Sequence, residues 1–245
     1  MSKAKRLARV ERGKQLIITA IIIIIVNLLV LVTIGILYYS GVIDIVDGQI
    51  VMTEGDNLEH IEKFKMPEEK NVAKRAEAVV DYFITEDMDD FDKLKTLHDW
   101  IVKWTKFDYN ELSNSGDKTK SSYSEYGVFI TGYAASEGYA KAFKLLCNLI
   151  GINSRVVYGQ AAGKFNTNHV WNLVELGGRW YAVDVAWNDV EMEKTGSDDI
   201  IYDYFLATDD MLLTTHTWKR GEYETCYDER LALKAYKGKT SKSMV

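Results

Sequence analysis

Three residues in the C-terminal half of the chain could together do nucleophilic chemistry. Ser136 opens a helical pattern in AASEGYAKAFKLLCNLIGI, and His169 and Asp184 lie in NHVWNLVELGGRWYAVDVAWND. At a helix N-terminus the free backbone N–H groups and the helix dipole lower a thiol pKa and stabilise a developing oxyanion. A histidine on a neighbouring strand can serve as base, and a carboxylate beside it can hold the imidazole in one tautomer. Each residue also has a plainer reading. A serine at a helix start is commonly an N-cap, and a lone strand histidine is commonly a packed polar residue. Asp184, between two valines, needs a partner if its face is buried.

The elements that must position these residues are legible in the pattern. Apolar residues at helical spacing predict a helix over 136–149, ended by Gly151. After it the period becomes two. SRVVYGQAA, NHVWNLVEL and RWYAVDVAW read as strands. Gly177-Gly178 predicts a tight antiparallel turn, which sets Asp184 opposite Trp171 and diagonal to His169, about 7–8 Å away on the same face. A one-residue slip would separate them.

Upstream, Pro67 opens PEEKNVAKRAEAVVDYFI as a helix, and DDFDKLKTLHDWIVKWTKFDY is a second helix with His98 beside its apolar face. His98 has no spaced partner and reads as structural. NELSNSGDKTKSSYSEYG is a polar loop, NDVEMEKTGSDD a solvated one, and DDIIYDYFLATDDML a short strand followed by a helix start at Thr208 or Asp209. Helices followed by a β meander define an α+β domain.

The N-terminus differs in kind. Residues 15–43 carry no charge, and Leu16 to Leu37 is almost wholly apolar. As a helix this run would extend ~33 Å, enough to cross a bilayer core. Six Lys/Arg and one Glu precede it, so the positive-inside bias places the N-terminus in the cytoplasm and the rest at the cell surface. The run is longer than a cleaved signal's apolar core and lacks a small-x-small cleavage site. The expected organisation is a basic arm (1–15), a transmembrane helix (16–38), a juxtamembrane connector (39–66) with a small hairpin about Asp47-Gly48, and an extracytoplasmic domain (67–245). The chain's net charge is −6, and the arm's +5 leaves −11 beyond it, which argues against nucleic acid as a partner. Two cysteines, Cys147 and Cys226, make no disulfide framework, and whether they pair is open.

Four segments, in order, resemble the transglutaminase-like superfamily, the papain-related domain of many exported bacterial proteins. They are WIVKWTKFDYN, YGVFITGYAASEGYAKAFKLLCNLIGI, NHVWNLVELGGRWYAVDVAWND and YDYFLATDDMLLTTHTW. The resemblance implies a papain-like core, a helix packed on an antiparallel sheet. It also implies a Cys-His-Asp triad whose thiolate attacks an amide, passing the acyl group to water or to an amine. In this chain His169 would be the base and Asp184 the orienter. Tyr126 would lie near the oxyanion site or cleft with Trp171. Trp171, Asn172 and Trp187 would be scaffold, and His216 structural. No cofactor and no metal are implied, and no carboxylate cluster resembles a calcium loop.

Ser136 departs from the pattern, because it stands where the nucleophilic cysteine belongs. A serine hydroxyl cannot rest as an anion and must lose its proton during attack, so a site shaped for sulfur loses most of its rate. Cys147 lies ~16 Å along the same helix and cannot substitute. Three readings follow: a pseudoenzyme that binds a peptide or protein, a cysteine amidohydrolase or transamidase disabled by Cys→Ser, or a working serine enzyme. A scaffolding module at the membrane is the alternative to all three. The sequence sets no oligomeric state.

Overall fold

The structure, a computed structural model, describes residues 19, 22–23, 25–32, 43–46, 49–52, 61–109, 121–162, 167–196 and 200–231. The chain divides into two compact units, Met1–Glu62 and Lys63–Val245.

In the first unit, residues 22–23 and 25–32 are helical, and Ile22, Ile23, Leu28, Leu29 and Leu31 are exposed. Among the described residues no helix is long and apolar enough to cross a membrane. Much of the apolar run 16–37 and the whole basic arm lie outside those residues. The hairpin forms as expected: β1 (Ile43–Val46) pairs antiparallel with β2 (Gln49–Met52), Val46 opposite Gln49.

In the second unit, helix α1 (Val72–Phe83) begins five residues after the expected start at Pro67. Bonds made by Asn71 and Arg75 hold the preceding residues out of the helix. Asn71 caps the helix by accepting from Lys74 N at 3.1 Å, while the buried Arg75 takes up the carbonyls before it, Glu69 O at 2.5 Å and Glu68 O at 3.4 Å. Helix α2 (Asp90–Trp104), capped by Asp89, buries Leu94, Leu97, Trp100 and Ile101. The short strands β3 (Lys106–Phe107) and β4 (Tyr133–Ala134) pair in parallel and flank a π-helical turn, Gly127–Thr131.

Helix α3 spans Ser136–Leu149 as predicted. It packs on a four-stranded antiparallel sheet of order β7-β6-β5-β8, formed by β5 (Ser154–Ala161), β6 (Thr167–Leu176), β7 (Arg179–Val183) and β8 (His216–Trp218). This is the α+β core expected from the pattern. The hairpin register is that of the two-glycine turn, with Leu176 opposite Arg179 and Asn172 opposite Val183. Gly177 and Gly178 both have positive φ, 56° and 74°, which glycine adopts without strain.

Three expectations fail in part. RWYAVDVAW is not strand throughout, and NDVEMEKTGSDD is not all loop. β7 stops at Val183, and helix α4 (Val185–Thr195) follows, with Asp184 as its N-cap. An aspartate ahead of a helix satisfies an orphan amide, and that overrides the strand alternation of the flanking valines. The expected strand in DDIIYDYFLATDDML reduces to one bridge, Ala207 to Ala182, before helix α5 (Asp209–Leu212), capped by Thr208.

Candidate functional site

The two faces of the sheet are used differently. Asn172 Nδ2 on β6 donates to Ala140 O on α3 at 2.9 Å, so that face carries the helix. From the other face project His169, Trp171 and, two strands away, His216. Gly159 on β5 lies opposite both His169 and Trp218, and Ala161 opposite His216. A Cβ at position 159 would stand 2.6 Å from the Trp171 ring and 2.4 Å from Thr217 O. The glycine thus lets the indole lie across β5 between the two histidines.

Asp184 joins them. The end of β7 brings its carboxylate to the same face, and its oxygens divide the work. Oδ1 accepts from Trp187 N at 3.0 Å, starting α4. Oδ2 accepts from His169 Nε2 at 2.5 Å and from His216 Nε2 at 3.0 Å. All three side chains are buried. Burial opposes the Asp184 charge, but the His169 imidazole, by charge and hydrogen bond, and then His216 outweigh it and hold the carboxyl far below the usual range. With Nε2–H donated to Asp184, His169 Nδ1 is left as the basic nitrogen.

Ser136 is the first residue of α3, and Ala135 is the N-cap, so the serine is no side-chain cap. It is 9% exposed, and among the described residues no hydrogen bond joins its hydroxyl to His169 or Asp184. The head of α3 touches the helix-bearing face of the sheet. Glu137, the next residue, accepts from Tyr158 OH at 3.4 Å, and Tyr158 lies opposite Val170, the neighbour of His169. Gly138 lets the head of α3 seat under backbone, since a Cβ there would stand 2.3 Å from Ser122 O. A second tie joins α3 to α4, from the Tyr139 hydroxyl to the Asp189 carboxyl, both buried.

The remaining candidates sort by burial. Tyr126 is exposed at the head of the π turn. Trp171 is 1% exposed, so it does not line an open cleft as expected. It is core, stacked on His169 at 6.1 Å and edge-on to His216 at 5.1 Å. Trp187 and Tyr204 complete the aromatic wall around His216, at 4.7 and 5.6 Å. His98 is buried and bonded at both nitrogens, accepting from Asn188 Nδ2 at 2.8 Å and donating to Asp99 at 2.9 Å, which braces α4 against α2. Cys147 and Cys226 are both free and buried, and burial pushes the Cys147 thiol up to about 12.

Sequence reasoning missed the meeting of His216 with Asp184. No local signal could reveal it, because only the pairing of β8 with β5 brings residue 216 there. The donor atoms of His169, Asp184 and His216 lie within 4.8 Å of one another, a spacing that could suit a metal ion. The contacts argue otherwise. Neighbouring ligands about 2.0–2.1 Å from one ion stand roughly 3 Å apart, whereas His169 Nε2 and Asp184 Oδ2 are 2.5 Å apart, a charge-assisted hydrogen bond.

Residues 77–185 match the model of the transglutaminase-like superfamily, so this stretch is a transglutaminase-like domain. Among curated proteins it is similar to the kyphoscoliosis peptidase of Homo sapiens, 24% identical over 173 residues, covering 65% of this chain and 26% of that protein. The Mus musculus counterpart is 24% identical over 139 residues, covering 52% and 21%. The chain thus spans about a quarter of these relatives' length. Similar solved structures include a TGase (14% identity, 63% of this chain and 47% of that one, TM-score 0.40). Another is a candidate cysteine protease from Cytophaga hutchinsonii (17% identity, 54% and 42%, TM-score 0.38).

Proposed function

We propose that this domain binds peptide or protein amides in a cysteine-amidohydrolase or transamidase cleft whose nucleophile position is held by Ser136. His169 is the base, Asp184 its orienter, and the head of α3 the oxyanion-stabilising end. The observation that carries this reading is the buried 2.5 Å contact between His169 Nε2 and Asp184 Oδ2, which frees Nδ1 as a base.

The reading is tested with Ser136→Cys. Its thiol should be alkylated rapidly by iodoacetamide at pH 7, and His169→Gln should abolish the rapid phase. Alkylation at the rate of a free exposed thiol would overturn it. A non-catalytic binding role in the natural chain is favoured by one feature: Ser136 makes no hydrogen bond to His169 and so is not an activated hydroxyl. In that case Ser136→Ala leaves partner binding intact. We further propose that the apolar run 16–37 anchors the chain in a membrane, its basic arm in the cytoplasm and the domain outside. Release from membranes by alkaline carbonate would refute this.

A further inference from the structure

His169 and His216 differ in how they are held, although both donate to the same oxygen of Asp184. His169 is bonded at one nitrogen. His216 is bonded at both: Nε2 to Asp184 at 3.0 Å, and Nδ1 to Thr215 Oγ1 at 2.8 Å. His216 is also wholly buried, and its ring is walled by Trp171, Trp187 and Tyr204. Asp184 must present an acceptor to His216 Nε2, so that nitrogen carries its proton. Nδ1 then accepts from the threonine hydroxyl, and the tautomer is fixed by geometry.

We propose that His216 is a positioning residue: it fixes Asp184 Oδ2 in place, so that His169 is oriented and kept in the tautomer with a basic Nδ1. Without His216, Oδ2 would be held by His169 alone. The carboxylate could then rotate about its remaining tie, Oδ1 to Trp187 N. With His216, both oxygens are anchored to elements that do not move with the reacting imidazole. The described titratable groups against the two histidines are Asp184, each other, and the Tyr204 ring beside His216. Oδ2 takes its two described hydrogen bonds from these two histidines. This inference rests on the proposed roles of His169 and Asp184.

The test compares the full chain with His216→Leu, which removes the donor, and His216→Gln, whose amide can replace it. Thr215→Val removes only the Nδ1 partner. Nitrogen-15 NMR should show His169 in the Nε2–H form with an exchange-protected proton in the native chain. The same state should persist in His216→Gln, and His216→Leu should give mixed tautomers and fast exchange. Thr215→Val should fall between them. In the Ser136→Cys background, His216→Leu should slow iodoacetamide alkylation at least roughly tenfold, with recovery in His216→Gln. An unchanged His169 tautomer and alkylation rate in a folded His216→Leu chain would overturn the proposal. If His216→Leu fails to fold, Thr215→Val decides: native His169 protection and native alkylation there would overturn it. If Ser136→Cys alone is slow, the functional reading fails, whereas the NMR comparison still tests His216.

Discussion

Asp189 offers a quantitative test of how α3 and α4 are held together. It lies on α4, five residues after Asp184, and its carboxyl meets the hydroxyl of Tyr139, three residues after Ser136. Burial is the main influence and raises its pKa. The Tyr139 hydrogen bond pulls it down, nearby Glu193 pushes it up, and the result is about 8. In an unfolded chain the same carboxyl titrates near ~3.9. The folded state therefore holds one proton more than the unfolded state between about pH 4 and pH 8. A raised folded pKa contributes stability at low pH that is lost as pH climbs through that window. The slope is about 1.4 kcal/mol per pH unit, so the loss between pH 5 and pH 7 is on the order of 3 kcal/mol. Asp189→Asn cannot titrate, yet its amide oxygen can still accept from Tyr139. Urea unfolding of the native chain and the variant at pH 5, 6 and 7 should show the variant gaining about 2–3 kcal/mol relative to the native chain across the series. Parallel pH profiles would refute the assignment of a neutral buried carboxyl at this joint.

Asp184→Asn should keep the α4 cap, because asparagine caps as well as aspartate. It should also keep a native circular dichroism spectrum while slowing Ser136→Cys alkylation by at least tenfold, since an amide no longer fixes the histidine tautomer. Gly138→Ala places a methyl against Ser122 O and should cost about 1–3 kcal/mol in denaturant unfolding, with the loss centred on the head of α3. Asn71→Ala should cost about 1 kcal/mol through the lost α1 cap, read from the same assay, with no effect on alkylation. In the native chain neither cysteine should react with Ellman's reagent at pH 8 until denaturant is added, because burial raises both thiols well above their ordinary range.

Much of this site could be read in the residues, for identifiable reasons. Two adjacent glycines leave little freedom in the β6–β7 turn, so the register that sets Asp184 diagonal to His169 was already fixed locally. The span of α3 followed from its apolar spacing and its terminal glycine. The failures lie where a residue serves two elements. Asp184 read as a strand residue because valines flank it, but its carboxylate is better used on the Trp187 amide, and α4 starts there. The capping signal was present, and strand alternation masked it. At α1, a non-local demand decided the start: Arg75 bonds Phe129 O at 2.7 Å as well as the carbonyls before the helix, so 67–70 are held outside it. His216 was legible only as a packed histidine, since its approach to Asp184 exists in the sheet and in no local pattern.

The division of labour at Asp184 has a consequence for how such a domain could lose its chemistry. One oxygen starts a helix, and for that task asparagine or serine would serve about as well, without burying a charge. The other oxygen meets two imidazoles, and only that task calls for an acid. Folding and chemistry are therefore separable within this one carboxylate. A mutation could silence the base and leave the helix, the sheet and the aromatic wall in place. This chain has a serine at the proposed nucleophile position and still carries the acid, with both of its histidine partners, in a setting where folding alone would accept a neutral residue.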